Sequence, residues 1–255
     1  MNSGGHRNLQ LSWNSIRNSE KGTVHMKVGF FTDSHYSSQA VTCTNRYNNQ
    51  SLRKILEAYD YFVRENCDLV ICLGDLTDKD TDHAREITNL QEMAEVIHSC
   101  PIPTICLMGN HDAFSFTADA FYDILGCRPQ TMEAEGKRLI FLDACYFKSG
   151  QHYQPGDSDW TDTFYPFTPE LKQQLAGYDG DIYVFLHQNI DPTIRQDHML
   201  HNAAEINRIL AESGRVKAVF QGHYHWGKTS SHGGIRYITF PAMCENEHCY
   251  FVDEL

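Results

Sequence analysis

Seven short apolar runs recur along the 255 residues at intervals that leave room for helices: 28–32, 69–73, 104–108, 139–143, 182–186, 216–220 and 235–240. Each is five or six residues long and rich in Val, Ile, Leu and Phe. A run of that length without alternation reads as a strand buried on both faces. Between the first two runs, Leu52, Ile55, Leu56, Tyr59, Phe62 and Val63 step by three and four, which makes one apolar helical face. Ile87, Leu90, Met93, Ala94 and Ile97 repeat the pattern between the second and third. Thr168-Pro169-Glu170 has the form of a helix start, and 203–213 reads as a helix closed by Gly214. The order βαβαβ followed by a strand-rich half implies α/β layers rather than a helical bundle or an all-β barrel.

Composition narrows the function classes. The formal charge of −12 argues against nucleic acid or an acidic membrane surface as partner and suits a protein that holds cations. No run reaches the ~18 apolar residues of a membrane helix, and residues 1–22 show no apolar signal core, so a cytoplasmic protein is expected. Residues 1–25 read as a polar tail ahead of one domain spanning 26–255. The nine cysteines form no CxxC pair, and several lie inside apolar runs, where they read as reduced, buried side chains.

The chemistry sits where the runs end. Asp33-Ser34-His35 follows the first, Gly74-Asp75-Leu76-Thr77-Asp78 the second, and Gly109-Asn110-His111-Asp112 the third. His187 follows the fifth, and Gly222-His223-Tyr224-His225 follows the sixth by one residue. Alone, each is a turn, a helix cap or a hydrogen-bonded core histidine. Together they occupy one structural position, the carboxyl ends of strands, where open α/β sheets bind ligands. Mixed carboxylate and imidazole donors suit Zn, Mn, Fe or Ni rather than Ca.

As an ordered set, these five blocks resemble the calcineurin-like metallophosphoesterase superfamily over about 28–241. The Gly-His-x-His ending is more similar to its single-domain phosphodiesterase branch. The stretch from His201 to Pro241 is faintly similar to manganese-dependent ADP-ribose/CDP-alcohol pyrophosphatases. The resemblance implies a two-sheet sandwich flanked by helices, in four αββα layers. It implies two divalent cations (Mn, Fe or Zn), one on Asp33, His35, Asp75 and His225, the other on Asp75, Asn110, His187 and His223. The implied reaction is hydrolysis of a phosphoester or phosphoanhydride in a small phosphorylated substrate by a hydroxide held between the ions. His111 is then placed as acid or charge stabiliser, with Asp112 or Asp78 orienting its ring. Asp78 could instead cap the helix that follows. A phosphomonoesterase and a non-catalytic metallo-scaffold are the rival readings.

Residues outside the blocks remain open. The 146–167 stretch has no period and exceeds the usual connection length, as binding loops and packed Ω-loops both do. Its Tyr153, Trp160 and Tyr165 are candidates either for stacking on a nucleobase or for packing. His198 and His201 flank the last helix, and Glu245, Asn246, Glu247 and His248 lie near a strand. Contact with substrate and simple solvation are both open for them.

Overall fold

A computed structural model describes residues 25–40, 43, 45–156 and 166–255. The expected tail up to residue 24, and Trp160 and Tyr165 of the long loop, lie outside the described residues.

All seven apolar runs form strands. The first sheet contains β1 (Lys27–Phe31), β2 (Leu69–Cys72) and β3 (Thr104–Cys106), which are parallel. In the second, β5 (Lys137–Phe141), β6 (Asp181–Phe185), β7 (Val216–Gln221) and β9 (Ile235–Thr239) run parallel. Three further strands close the edges, all antiparallel to their neighbours. They are β4 (Met132–Ala134) on β5, β8 (Lys228–His232) on β9 and β10 (Tyr250–Glu254) on β1. The sheet orders are β10-β1-β2-β3 and β4-β5-β6-β7-β9-β8.

Alternation along each strand sorts side chains into three cores. Val28 and Phe30 of β1 and Leu69 and Ile71 of β2 meet Phe141, Phe185 and Phe220 of the other sheet. Rings stack across this gap, Phe30 on Phe220 at 4.8 Å and on Phe240 at 5.0 Å between centroids. The opposite face of the first sheet (Phe31, Val70, Cys72 and Cys106) packs against α1 (Ser51–Arg64), α2 (His83–Ser99) and α4 (Ala118–Leu125). The outer face of the second (Ile140, Ile182, Val184 and Val219) packs against α5 (Thr168–Leu175) and α6 (Ala203–Ser213). Helix, sheet, sheet and helix make the four expected layers, and strands covered on both sides explain why the runs are continuously apolar.

The helix signals hold with local changes. Gly214 closes α6 in the left-handed region at φ 66°. α5 starts at Thr168, one residue earlier than its form suggests, with Phe167 at the cap position. All nine cysteines are free. Among the described residues no helix is long and apolar enough to cross a membrane. In the long loop, Tyr146 bridges back to His152 in a tight turn. Tyr153 is 2% exposed and stacks on Phe147 at 5.7 Å. It is therefore a packing anchor and unavailable to a nucleobase.

Gly29 marks a close approach of α1 to the first sheet. A Cβ there would sit 2.7 Å from ring atoms of the fully buried Phe62 of α1. Gly29→Ala should therefore destabilise the protein by about 1–3 kcal/mol through overpacking. The check is the urea unfolding midpoint at unchanged slope. An unchanged midpoint would mean that α1 can move off the sheet without cost.

Candidate metal centre

The seven predicted ligand residues converge where the carboxyl ends of both sheets meet. The connections that carry them are tied together by backbone bonds. Asp33 N–H donates to Gly74 O, His35 N–H to Asp75 O, and Gly222 N–H to His187 O. Met243 and Cys244 N–H donate to Thr32 and Asp33 O, which pins the second sheet's last connection to the first sheet.

Close approach of backbone to carboxylates explains two of the motif glycines. A Cβ on Gly109 would collide with Asp75, and one on Gly222 would lie 2.7 Å from Asp33 Oδ2 and collide with Thr32. Strain gathers at the same place. Asp33, His35, Asp75 and His223 all have positive φ, between 45° and 63°. Non-glycine residues adopt that region at a cost of order 1–3 kcal/mol, and such residues cluster at functional sites.

The donors fall into two trios, Asp33–His35–His225 and Asp75–His187–His223. In the first, Asp33 Oδ1 lies 3.3 Å from His225 Nε2 and 3.7 Å from His35 Nε2. In the second, Asp75 Oδ2 lies 3.1 Å from His187 Nε2. That same oxygen is 3.6 Å from His35 Nε2, so Asp75 adjoins both trios. Asn110 Oδ1 stands 3.2 Å from His187 Nε2.

In four of these residues the other polar atom is already occupied. Asp33 Oδ2 accepts from Thr32 Oγ1 and His223 N–H, while the buried Oδ1 accepts no hydrogen bond. Asp75 Oδ1 accepts from His111 N–H at 2.8 Å. His187 Nδ1 donates to Leu73 O, and His225 Nδ1 to Glu245 Oε1 at 2.6 Å. Imidazoles anchored at Nδ1 by a carbonyl or carboxylate present Nε2 as the ligand atom, the usual outer support of metal-binding histidines. An orphaned buried carboxylate oxygen with two Nε2 atoms converging on it fits a cation.

Electrostatics agree. Burial by itself works against the Asp33 and Asp75 carboxylates, yet the surrounding histidines hold both well below the usual range. Burial also depresses an imidazole, but at His187 the Asp75 and Asp33 charges outweigh it and raise the ring to about 9. At His225 the close Asp33 carboxylate and the hydrogen bond to Glu245 do so, to about 10. Burial wins at His35 and His223, with help from neighbouring His111 and His187, and holds them at about 4 and about 3.

His111 lies beside this cluster, its ring 4.5 Å from that of His35 and partly exposed. Of the two carboxylates expected to orient it, only Asp78 does so, with Oδ1 2.9 Å from His111 Nδ1. Asp78 caps no helix, because the N-cap of α2 is Asp82. Asp112 points elsewhere. It accepts from the N–H groups of Leu76, Thr77 and Gly109 and from the Thr77 hydroxyl. Placed third in α3 (Asn110–Ser115), it reaches back to the N-cap N–H and ties the β3 connection to that of β2. The expectation of a role on the His111 ring is corrected to this structural one. Burial and the nearby Asp75 charge push Asp112 up to about 7.

Three further groups belong to the site and were not singled out, or only loosely, from sequence. Glu245 supports His225, as above. Arg46 Nη1 stands 3.4 Å from Asp78 Oδ2 and 3.5 Å from His35 Nδ1. Asn48 Nδ2 donates to His35 O and lies 3.3 Å from Asp78 Oδ2. None follows an apolar run, so strand-end reasoning could not find them. His198 lies against the cluster, its ring 5.7 Å from that of His223, whereas His201 is exposed.

The comparisons with known proteins fall in line with this geometry. The family model described as calcineurin-like phosphoesterase matches residues 26–227. A probable cyclic nucleotide phosphodiesterase of Psychrobacter arcticus is 25% identical over 228 residues, 84% of this chain and 74% of that protein. The 3′,5′-cyclic adenosine monophosphate phosphodiesterase of Escherichia coli K12 is 26% identical over 238 residues, 89% and 80% of the two chains. Among solved structures, a dimetal phosphatase from Danio rerio superposes with a TM-score of 0.76 at 16% identity, covering 89% and 91%. The chain belongs to the calcineurin-like phosphoesterase family of metal-dependent hydrolases.

Proposed function

We propose that this protein hydrolyses a small phosphodiester or phosphoanhydride at two divalent cations held by the strand-end residues. The observation that carries the reading is the pair of donor trios meeting at one oxygen, Asp75 Oδ2. Asp33, His35 and His225 would hold one cation, and Asn110, His187 and His223 the other, with Asp75 shared. The diester character of the named bacterial relatives supports that bond type over a monoester. When bound, the two ions supply Lewis acidity toward phosphoryl oxygens and lower the pKa of a shared water.

The chain's own contribution is placement and proton handling. Asp75 Oδ1 fixes the His111 backbone, and Asp78 fixes its ring. With Nδ1–H committed to Asp78, Nε2 is the atom left to donate a proton to a departing oxygen. Arg46 Nη1, 3.4 Å from Asp78 Oδ2, offsets the carboxylate's charge. The direct test is hydrolysis of bis-p-nitrophenyl phosphate against p-nitrophenyl phosphate with added Mn²⁺. Faster diester cleavage is expected, monoester preference would make the protein a phosphomonoesterase, and no turnover would make it a metallo-scaffold.

Three outcomes follow from the assigned roles. Asp75→Asn should lose metal and turnover together, read by metal content alongside rate; full occupancy at near-normal rate would remove Asp75 from the shared position. His111→Ala should keep its metals yet turn over about 10²–10⁴-fold more slowly, with a smaller deficit for p-nitrophenolate than for alkoxide leaving groups. An equal deficit for both would assign His111 to charge stabilisation rather than proton donation. Finally, His187 and His225, raised to about 9 and about 10, carry protons at pH 7 and must lose them to ligate. Metal binding should therefore release protons at pH 7 and strengthen as pH rises toward 9–10. Calorimetry in buffers of different ionisation enthalpy reads the release directly, and buffer-independent heats would contradict it.

A further inference from the structure

The metal ligands reach only phosphoryl oxygens and water, so they accept one phosphoester much like another. Discrimination has to come from side chains at the mouth of the site. Trp226, directly after His225, is 68% exposed, more than any other large hydrophobic side chain among the described residues. Exposing an indole costs hydrophobic free energy that an ordinary surface position would avoid.

Trp226 is one of three joined rings that lead away from the metal donors. The His198 ring lies 5.7 Å from that of the donor His223, 5.2 Å from that of Tyr224 and 5.9 Å from that of Trp226. Tyr224 and Trp226 are 5.1 Å apart. The rings are supplied by two connections that each grow out of a donor segment, one after His187 and one through His223 and His225. Both are tied down. Leu200 N–H donates to Asn189 O, Gly227 N–H to Tyr224 O, and Ala242 N–H to His225 O. Gly227, at φ 68°, sits where a Cβ would lie 2.9 Å from Pro241, so the turn behind Trp226 has one shape.

We infer that Trp226, backed by Tyr224 and His198, is a stacking platform for the base of a nucleotide substrate whose phosphate lies at the metal centre. The inference rests on the proposed hydrolase reading and names its substrate class. Mutual ring contact favours a flat ligand. Three rings already touching leave no box for an onium head group, whereas the outward face of the indole is open to a planar π-system. The platform is uncharged at its tip, so it selects for the base and not for a second phosphate.

The test compares wild type, Trp226→Ala and Trp226→Phe, all loaded with Mn²⁺. Substrates are 3′,5′-cyclic AMP and ADP-ribose, with glycerophosphocholine as a diester lacking a base. Binding of 5′-AMP is measured separately by equilibrium dialysis. Loss of base stacking should raise KM for the nucleotide that is cleaved, and Kd for 5′-AMP, by roughly 5- to 150-fold. The rise should exceed that for glycerophosphocholine at least fivefold, and Trp226→Phe should restore most of it. Equal effects on base-containing and base-free diesters, or an unchanged Kd for 5′-AMP in Trp226→Ala, would overturn the platform. If Trp226→Ala does not fold, Trp226→Phe decides: near-wild-type affinity for 5′-AMP agrees with stacking, and loss of affinity contradicts it. Absence of turnover on every substrate, bis-p-nitrophenyl phosphate included, would defeat the hydrolase reading alone, and 5′-AMP binding would still decide the platform.

Discussion

Two fully buried carboxylates, Asp33 and Asp75, face a shared space lined by imidazoles, and the rest of the site is built to hold them there. An ionised carboxylate is not buried without compensation. Neighbouring imidazoles supply it: the Asp75 and Asp33 charges raise His187 above its usual range, and Asp33 and Glu245 raise His225. In the proposed reading the same nitrogens would serve as metal ligands, so protons and cations would compete for them. The left-handed backbone at Asp33, His35, Asp75 and His223, and the glycines at 109 and 222, are the local cost of bringing donors from five strand ends into that space.

This division explains what could be read from sequence. The seven strands were legible because each is covered on both faces and is therefore apolar throughout. The candidate donors were legible because each follows such a strand. β8, Lys228–His232, carries no apolar signal, since it is an edge strand with most of its residues exposed. α3 begins inside the Gly-Asn-His-Asp block, where a motif reading assigns every residue to chemistry. That is why Asp112 looked catalytic: its position as third residue of a short helix, bonded to three backbone N–H groups, appears only once the β2 and β3 connections are seen together. Asp78, in a turn rather than a cap, is the carboxylate that meets His111. Arg46 and Asn48 lie further along the connection that carries Asp33 and His35, and Glu245 lies in the one after β9, all away from the strand ends, so no spacing rule points to them. The aromatic residues of the long loop illustrate the converse. Tyr153 has the composition of a recognition residue, but its burial makes it part of the helix-side core.

The same logic separates the conserved task of the site from its selectivity. Asp33, Asp75, His187 and His225 are each held by a further hydrogen bond, and on the proposed reading they would meet only phosphate and cations. The side chains around them are free to differ among relatives that share about a quarter of their residues. A family with one metal-holding frame can thus serve different esters by changing rings and loops at the mouth without disturbing the frame.

The pairing of β10 with β1 has a consequence for how the protein comes into being. Lys27 is matched with Glu254, so the strand leading to Asp33 and His35 lacks its outer neighbour until more than two hundred further residues have left the ribosome. At about 5–20 residues per second, that delay is tens of seconds. During it, β1 presents an open edge of the kind that invites mispairing. His187, His223 and His225 also emerge late, so a nascent chain holds Asp33 and Asp75 with His35 as their one early imidazole neighbour from the two trios. On the proposed reading the donor set is complete only after His225 has emerged, and a chaperone shielding the first sheet would protect the candidate site as well as the fold.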